Sequence, residues 1–399
     1  MPASRLRTIG FLVALLLVAV GIWNFMQPIP AVAATSSGLS QYVITGTPPT
    51  LPWPSTGAAA VGASGLGLIA TSGDVSPVPA ASAAKVMTAL VLLADKPITG
   101  GNLGPTLIIS DQDVATYAAD LADQQSVVPV VAGEQLNEYQ ALEALLIPSG
   151  NNIAETLARW DAGSVSTFVA RMNQRAASLH LTKTTFADPA GVSTQTVSTP
   201  TDLVALGMAA MQQDVLAQIV GTPQTTLPVA GLVYNVNGAL GQRGIIGIKT
   251  GVNAGATFLF AASATVDGQP LTLFGCVMGQ PTLAMAFDAA DALIRTMQGS
   301  LKMRPIFSRG DVVGAYDTVW GSHANLVATR DLTMVEWPGM IVHEQLQTTT
   351  PVVDGPVASG TPAGTLHVVL GDQQGDVPLV TSGSLDPPGL VWRLSRINW

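Results

Sequence analysis

The sequence predicts a mixed α/β domain followed by a smaller domain built only of β-strands. Ahead of Gly299, residues 82–95 and 136–146 have the composition and period of helices, whereas residues 258–266 and 271–278 are apolar runs typical of core strands. After Gly299 short β-type segments follow one another, separated by Gly, Pro and Asp, without a helical period. This change of character predicts a boundary between two domains.

The other elements follow in order from the same reasoning. Residues 201–211 follow Pro200, which suits the first turn of a helix, and the break at residues 147–152 separates two helical patterns. Further helices are predicted at residues 153–160, 165–178 and 282–298, and further strands at residues 59–71, 106–110, 126–131 and 244–248.

The N-terminus has the features of an export signal. Arg5 and Arg7 precede an apolar run at residues 9–26, and the small residues Ala-Val-Ala-Ala follow at positions 31–34. This pattern is typical of a secretory signal peptide, and the run is also just long enough to span a membrane if it is not cut. We interpret residues 1–34 as a signal peptide or N-terminal membrane anchor, and predict a protein that acts at the outer face of the cell membrane, in the cell wall or as a secreted enzyme.

Composition predicts three further segments. Residues 35–58 are rich in Ser, Thr, Gly and Pro and are interpreted as a linker. Residues 59–300 are predicted to form the mixed domain and residues 303–394 the β-rich domain.

Charge and cysteine content exclude several functions. Charged residues make up 11% of the 399 residues, hydrophobic ones 48%, and the net charge is −9, so we do not expect a nucleic-acid partner. Cys276 is the single cysteine and lies in an apolar run, which favours a buried, inert thiol. The four histidines are scattered without metal-ligand spacing, and we expect neither a metal nor another cofactor.

The helix that begins near Ser82 carries the first chemical motif. It is apolar nearly all round, which predicts burial, yet Ser82 and Lys85 lie three residues apart on one face of its first turn. A neutral amine in that position could take the proton of the Ser82 hydroxyl, and the helix N-terminus would favour developing negative charge. The alternative is an N-cap serine followed by a lysine whose ammonium reaches solvent.

Two further motifs follow in the order Ser-x-x-Lys, Ser-x-Asn, Lys-Thr-Gly. Ser149-Gly150-Asn151 lies in the break between two helices, where side chains can point into a cleft, and Lys249-Thr250-Gly251 follows a strand. Gly251 would leave room for the close approach of a ligand backbone. Each motif alone could be a turn or a strand end. Together they are the signature of penicillin-binding proteins and class A β-lactamases.

In detail the chain resembles the serine-type D-Ala-D-Ala carboxypeptidases, which are low-molecular-mass penicillin-binding proteins of the peptidase S11 type. The resemblance extends over about residues 55–394 and is strongest in the motifs and their flanks, at residues 82–91, 147–152, 185–191, 198–203 and 247–251. It implies an α+β transpeptidase-like (β-lactamase-like) domain, in which helices flank an antiparallel sheet, followed by a small β-rich domain.

The resemblance also implies a reaction at Ser82. This hydroxyl would attack the penultimate D-Ala carbonyl of a peptidoglycan stem peptide, form an acyl-enzyme and release D-Ala. Lys85 would be the base and Ser149 would relay protons to the leaving amine. β-Lactams would acylate Ser82 and act as covalent inhibitors.

The remaining motif residues would bind the substrate. The resemblance implies that Asn151 holds both the substrate amide and Lys85, and that Lys249 and Thr250 bind the terminal carboxylate. Gly251 completes this substrate-binding motif. The backbone N–H groups of Ser82 and Val252 would form the oxyanion hole.

The sequence departs from the family pattern at several positions. Asn253 occupies a site that is usually Thr, and Ala256-Thr257 replaces an Ala-Gly pair. An arginine near position 286 commonly supports carboxylate binding, but this chain has Ala286 there and its nearest arginine is Arg295. We also do not expect the amphipathic C-terminal anchor that is common in the family.

Two other functions share the same motifs. A class A β-lactamase needs a glutamate between the second and third motifs to activate water, and Glu155 is the only one there. A non-catalytic cell-wall-associated homologue would keep the fold without turnover, although such proteins usually lose Ser82 or Lys85 first. A Ser-His-Asp hydrolase is disfavoured because no histidine accompanies a nucleophile-elbow pattern.

Overall fold

The computed structural model describes residues 3–38, 40–73 and 76–396, with side chains described from Arg7 onward. The chain divides into two compact units. The central unit is Thr47–Lys302, and the β unit combines Met1–Gly46 with Met303–Trp399. In sequence, the central unit is therefore an insertion into the β unit.

Helices occur in both units. In chain order they are α1 (Ala3–Met26), α2 (Ala84–Asp95), α3 (Asp111–Ala122), α4 (Glu138–Leu146), α5 (Asn151–Ala162), α6 (Val165–Ser178), α7 (Pro200–Met211), α8 (Asp214–Val220), α9 (Leu283–Ser300) and α10 (Leu390–Ser395). Local sequence explains several starts: Ser110 and Asp113 form a capping box at α3, and Thr199 caps α7 with Pro200 in its first turn.

The strands are mostly antiparallel neighbours. They are β1 (Ala34–Ser36), β2 (Gln41–Val43), β3 (Ala58–Ala63), β4 (Gly67–Ser72), β5 (Val78–Pro79), β6 (Thr106–Ile108), β7 (Gln135–Asn137), β8 (Val197–Ser198), β9 (Gln224–Leu227), β10 (Gly231–Tyr234), β11 (Ile245–Val252), β12 (Ala256–Val266), β13 (Gln269–Gln280), β14 (Lys302–Phe307), β15 (Val312–Asp317), β16 (His323–Ala328), β17 (Leu332–Glu336), β18 (Ile341–Thr348), β19 (Pro362–Leu370) and β20 (Gln373–Ser382).

A five-stranded antiparallel sheet forms the centre of the central unit. Its strand order is β11-β12-β13-β3-β4. β12 is buried at every residue from Ala256 to Ala262, which requires cover on both of its faces, and α7 and α9 pack against this sheet. β11 is an edge strand, so one side of its backbone is left for another partner.

The buried helix predicted near Ser82 is α2, but it begins two residues later than Ser82. Residues Ala81–Ala83 form a 3₁₀ turn, Ala81 has a φ of 51°, and no side chain caps α2. Ser82 is therefore not the N-cap, and the alternative interpretation of this serine is excluded. Lys85 lies in the first turn of α2 and is fully buried.

Residues 126–131, which the pattern predicts as a strand, do not form one. The Asn152 side chain takes the place of a neighbouring strand, because its Oδ1 accepts from the Val128 N–H at 3.0 Å and its Nδ2 donates to the Val128 carbonyl at 2.9 Å. Val128 and Val130 of this apolar run are buried as expected, but a side-chain amide satisfies the backbone at Val128.

The β unit contains a seven-stranded sheet in the order β1-β15-β16-β20-β19-β18-β2, together with the pair β14-β17. β1 and β2 come from the segment whose composition is typical of a linker, and they occupy the two edges of this sheet. Ala34 pairs with Tyr316 and Val43 pairs with Ile341. Backbone hydrogen bonds alone can hold an edge strand in a sheet. A segment rich in Ser, Thr and Gly can therefore form one without the alternation of apolar and polar residues by which strands are predicted.

Candidate active site

Ser82 and Lys85 meet at the start of α2. The Lys85 Nζ donates to the Ser82 Oγ at 2.9 Å, and it also donates to the Asn151 Oδ1 at 2.6 Å and to the Ala190 carbonyl at 3.1 Å. The first and second motifs are therefore joined through a single side-chain nitrogen. The predicted contact between Asn151 and Lys85 is present.

Burial lowers the pKa of Lys85 well below its ordinary value, and the nearby Lys249 cation lowers it further, while Asp188 and Asp120 act in the opposite direction. A lysine with a lowered pKa loses its proton at a lower pH than an ordinary lysine does, and only the neutral amine can accept a proton from a hydroxyl. The lowered pKa of Lys85 is compatible with the base role that the resemblance implies, which stays a prediction.

The second motif is held in a tight loop before α5. Ser149 has a φ of 66° and is buried, and Gly150 follows as the N-cap of α5. A β-carbon on Gly150 would lie 2.9 Å from the Val128 side chain, so the loop packs too closely for a larger residue. Asn151 is fixed at its other end, where its Nδ2 donates to the Gln125 Oε1 at 2.7 Å.

The third motif lies at the end of the edge strand β11. Lys249 is 1% exposed, and its Nζ donates to the Thr250 carbonyl at 3.0 Å. Burial lowers the pKa of Lys249 to about 7. Gly251 is required by the protein itself, because a β-carbon there would lie 2.6 Å from the Ser82 backbone nitrogen. The turn that carries Ser82 therefore approaches this glycine closely, whereas the predicted approach of a ligand backbone stays a prediction.

A cavity of about 360 Å³ opens between these motifs. Six of the eight predicted site residues line it, whereas Lys85 and Lys249 are buried behind its surface. The lining residues are Ser82, Gln124, Gln125, Ser126, Ser149, Asn151, Gly191, Val192, Val236, Thr250, Gly251, Val252, Asn253 and Leu283. None of them is a carboxylate or an arginine, as far as the described part of the chain shows.

A loop outside the three motifs contacts Lys85 through the Ala190 carbonyl. The Asp188 carboxylate accepts hydrogen bonds from the backbone N–H groups of residues 190–193 and from the Thr196 hydroxyl. This network holds the Ala190 carbonyl against Lys85. In the sequence, this loop is visible only as the Asp-Pro-Ala-Gly run at residues 188–191. The run resembles the family, but its residue types do not by themselves indicate a catalytic or binding role.

Asn253, one of the departures from the family pattern, also contacts this loop. Its Nδ2 donates to the Val192 carbonyl at 3.0 Å and to the Gly191 carbonyl at 3.4 Å. The side chain therefore ties the β11–β12 turn to the Asp188 loop across the rim of the cavity.

Among the described residues, no nearby arginine takes the place of the missing one. Ala286 is fully buried in α9, and the first-turn residue of that helix that lines the cavity is Leu283. Arg243 and Arg295 both pair with Asp291, at 2.6 and 2.5 Å, and neither lines the cavity. Carboxylate binding would therefore depend on the Lys249-Thr250 pair.

Two residues considered in the sequence analysis lie elsewhere. Glu155 pairs with Arg159 on α5 and does not line the cavity. Cys276 is buried in β13, and burial raises the pKa of its thiol, which disfavours a nucleophilic thiolate.

Comparison with known proteins agrees with this geometry. The sequence profile of the D-alanyl-D-alanine carboxypeptidase family, peptidase S11, matches residues 62–282. The chain belongs to this family. The predicted relationship and the serine hydrolase class are thereby confirmed. The matched residues include all three motifs.

Individual S11 relatives extend the comparison. The D-alanyl-D-alanine carboxypeptidase DacB2 of Mycobacterium tuberculosis is 35% identical over 234 residues, which are 54% of this chain and 75% of DacB2. DacD of Escherichia coli is 28% identical over 335 residues, covering 79% of this chain and 82% of DacD.

Solved structures confirm the predicted fold class. The DD-transpeptidase of Streptomyces K15 superimposes with a TM-score of 0.54 and 26% identity, over 63% of this chain and 98% of that one. The carboxypeptidase DacD of Francisella tularensis is 18% identical and matches 87% of this chain with a TM-score of 0.59, which extends the likeness in fold to the C-terminal strands.

Proposed function

We propose that this chain is a serine-type D-alanyl-D-alanine carboxypeptidase that removes the terminal D-Ala from peptidoglycan stem peptides and binds penicillin. The observation that carries the proposal is the 2.9 Å contact between the Lys85 Nζ and the Ser82 Oγ, made by a lysine that is fully buried and whose pKa is lowered. Family membership supports the reaction class.

The first half-reaction is acylation. Neutral Lys85 accepts the proton of the Ser82 hydroxyl as the oxygen attacks the carbonyl carbon of the penultimate D-Ala. The C–N bond then breaks, the leaving amine of the terminal D-Ala takes up a proton through Ser149, and the substrate remains bound to Ser82 as an ester. Water hydrolyses this ester in the second half-reaction, with Lys85 again as the base.

Two backbone N–H groups are assigned to the negative charge that develops during the reaction. The tetrahedral intermediate carries an oxyanion, and we assign its stabilisation to the N–H groups of Ser82 and Val252. The close packing of Gly251 on the Ser82 nitrogen supports this assignment, because it brings the end of β11 against the turn that carries the nucleophile.

The substrate carboxylate is assigned to Lys249 and Thr250. Thr250 lines the cavity, and Lys249 adds a positive field from behind it. Asn151, fixed by Gln125, would hold the substrate amide. The described cavity wall carries no carboxylate that could activate water rapidly, so a β-lactam would remain on Ser82 as a slowly hydrolysed acyl-enzyme. This distinguishes the proposal from a β-lactamase.

The proposed substrate lies outside the cytoplasm, so the enzyme would be exported and act at the outer face of the membrane or in the cell wall. The apolar N-terminal helix and the cell-wall peptidases among the relatives support this location.

The test is labelling with a fluorescent penicillin together with release of D-Ala from a D-Ala-D-Ala peptide. We expect Ser82→Ala to abolish both and Lys85→Ala to slow acylation by orders of magnitude. Ser126→Ala is a matched control, because Ser126 lines the same cavity but belongs to no motif. Full labelling of Ser82→Ala would refute the assignment, and labelling without D-Ala release would favour a non-catalytic cell-wall protein.

A further inference from the structure

The helix α1 is long and apolar enough to cross a bilayer. The span Arg7–Met26 has a mean hydropathy of 2.4, and none of its 20 residues is buried in the protein. A cleaved signal sequence and a permanent anchor share these properties. The contacts of residues 21–34, at and after the end of α1, distinguish between the two. A segment that is removed during export would not be expected to form specific contacts with the folded protein.

Arg396 binds the end of α1. Its Nε and one Nη donate to the Asn24 carbonyl at 3.1 and 2.8 Å, its other Nη donates to the Pro28 carbonyl at 3.1 Å, and it also contacts the Gln27 carbonyl. The last carbonyls of a helix lack partners within the helix, and the planar guanidinium supplies several donors at once. Arg396 is only 8% exposed, so a chain without α1 would leave it without these acceptors.

The helix α10 packs beside the same end of α1. The Asn24 Nδ2 donates to the Leu394 carbonyl at 3.1 Å, and Leu394 lies 3.7 Å from the position of a β-carbon on Gly21. Arg393 donates to the Phe25 carbonyl at 3.1 Å, and its guanidinium lies 4.2 Å from the centre of the Phe25 ring. The two helices thus share polar and apolar contacts over the last turns of α1.

The small-residue segment that resembles a signal-peptidase site is folded into the β unit. Val32 is 5% exposed, and its N–H donates to the Pro351 carbonyl at 2.9 Å. Ala31 forms a bridge with Val352, and Ala34 begins β1. These contacts make residues 31–34 part of the folded β unit, as expected of a segment that stays in the mature protein, whereas a peptidase needs an accessible, extended segment.

We propose that α1 is retained in the mature protein as a membrane anchor, and that Arg396 and α10 fasten its outer end to the β unit. The occupant of the apolar surface of α1 is the lipid bilayer. Arg5 and Arg7 mark the cytoplasmic end, in agreement with the positive-inside rule.

The surface around the outer end of α1 is suited to the membrane interface. Trp23 is 67% exposed, Val391 is 79% exposed and Val319 is 74% exposed, and the rings of Trp320 and Trp392 stack edge to face at 5.3 Å. Tryptophans and aliphatic side chains beside arginines are typical of the headgroup region. This proposal concerns location only and is independent of the chemistry at Ser82.

Intact-mass spectrometry tests the retention of α1. The full chain, with its own N-terminus, is expressed in a bacterium, and membranes are washed with alkaline carbonate before detergent extraction. We expect the major species to stay in the washed membranes with the mass of the whole chain, near 41.0 kDa. A major soluble species that begins within residues 32–35 would overturn the proposal.

Hydrogen–deuterium exchange tests the attachment. In detergent-solubilised full chain, Arg396→Ala should raise the exchange rate of residues 24–36 by about tenfold or more, since hydrogen bonds to a charged group are lost. Arg309→Ala, which removes an exposed arginine from the same unit, should leave that rate unchanged. Arg393→Ala removes one contact and should have a smaller effect. If Arg396→Ala and Arg309→Ala exchange alike, Arg396 does not fasten the helix.

Discussion

A β-carbon on Gly251 would lie 2.6 Å from the backbone nitrogen of Ser82 and 2.8 Å from the β-carbon of Ala81. The third motif is therefore in van der Waals contact with the turn that carries the first. Because the clashing atoms are backbone atoms and a β-carbon, a larger residue at position 251 cannot be accommodated by a change of rotamer.

The first prediction concerns this contact. Gly251→Ala should push β11 away from the turn and lower the rate of penicillin acylation by about a hundredfold, since displacement of about 1 Å at an active site has effects of that size. Stopped-flow acylation, with circular dichroism to verify the fold, measures this. Gly299→Ala is the matched control, because a β-carbon at that position would have no atom within 4 Å. Equal acylation rates for the two variants would contradict the prediction.

The second prediction concerns the pH dependence of turnover. Acylation needs Lys85 neutral, so the rate should rise with pH on the acid side, whereas carboxylate binding needs Lys249 charged and should weaken as pH rises through about 7. We expect a bell-shaped profile of kcat/KM for a D-Ala-D-Ala peptide, whose two apparent pKa values belong to the coupled pair. Lys249→Arg, which stays charged, should move the alkaline limb upward. An unchanged alkaline limb would show that another group causes it.

The third prediction concerns stability. Lys249 has a pKa of about 7 in the folded protein, whereas its ordinary value is 10.5. Between these values the unfolded chain binds a proton that the folded chain lacks, so the free energy of unfolding should rise with pH through this window. Lys249→Met should reduce that rise, and the exposed Lys302→Met should not. Urea denaturation at a series of pH values measures the slopes, and identical slopes in all three proteins would refute the assignment.

The sequence was most informative where the chemistry is local. Ser82 and Lys85 are three residues apart, so a helical pattern was enough to predict that they share a face, although Ser82 lies in a 3₁₀ turn ahead of α2. The order of the three motifs pointed to penicillin-binding proteins and class A β-lactamases, and the residues flanking the motifs pointed to the S11 family. Asp188 and Gln125 were missed because they act from loops, through backbone groups or another side chain. The edge strands around Ala34 and Val43 were missed because backbone pairing leaves no pattern in the side chains.

The fourth prediction follows from the absent arginine. The family pattern has an arginine near position 286, but Ala286 of this chain is fully buried, so Ala286→Arg should destabilise the protein. Leu283 lines the cavity from the same helix. Leu283→Arg should therefore raise kcat/KM for a D-Ala-D-Ala peptide by about ten- to a hundredfold, as a charged hydrogen bond contributes about 1.5–3 kcal/mol.

The control for this gain is acylation by penicillin, whose strained ring relies less on anchoring. Leu283→Met keeps the size and apolar character of the residue and should change neither rate by much. Equal gains of Leu283→Arg on peptide and penicillin would show that the arginine acts otherwise than by binding the carboxylate.

The fifth prediction concerns the division of labour between the units. All three motifs lie within Thr47–Lys302, so this segment alone should acylate with penicillin at a rate close to that of the full chain. This segment starts after residues 34–43, because β1 and β2 belong to the sheet of the β unit. A well-folded but inert segment would mean that the β unit contributes to the site.

The insertion of the central unit between β2 and β14 has a consequence for biogenesis. If the chain is exported as proposed, its first strands to leave the cytoplasm are β1 and β2, and they pair with β15 and β18, which would emerge only after the entire central unit. The central unit can begin to fold during export, whereas the seven-stranded sheet must wait for its last strands. Completion of that sheet would then be a late event, and a chain arrested during translocation would present two unpaired edge segments.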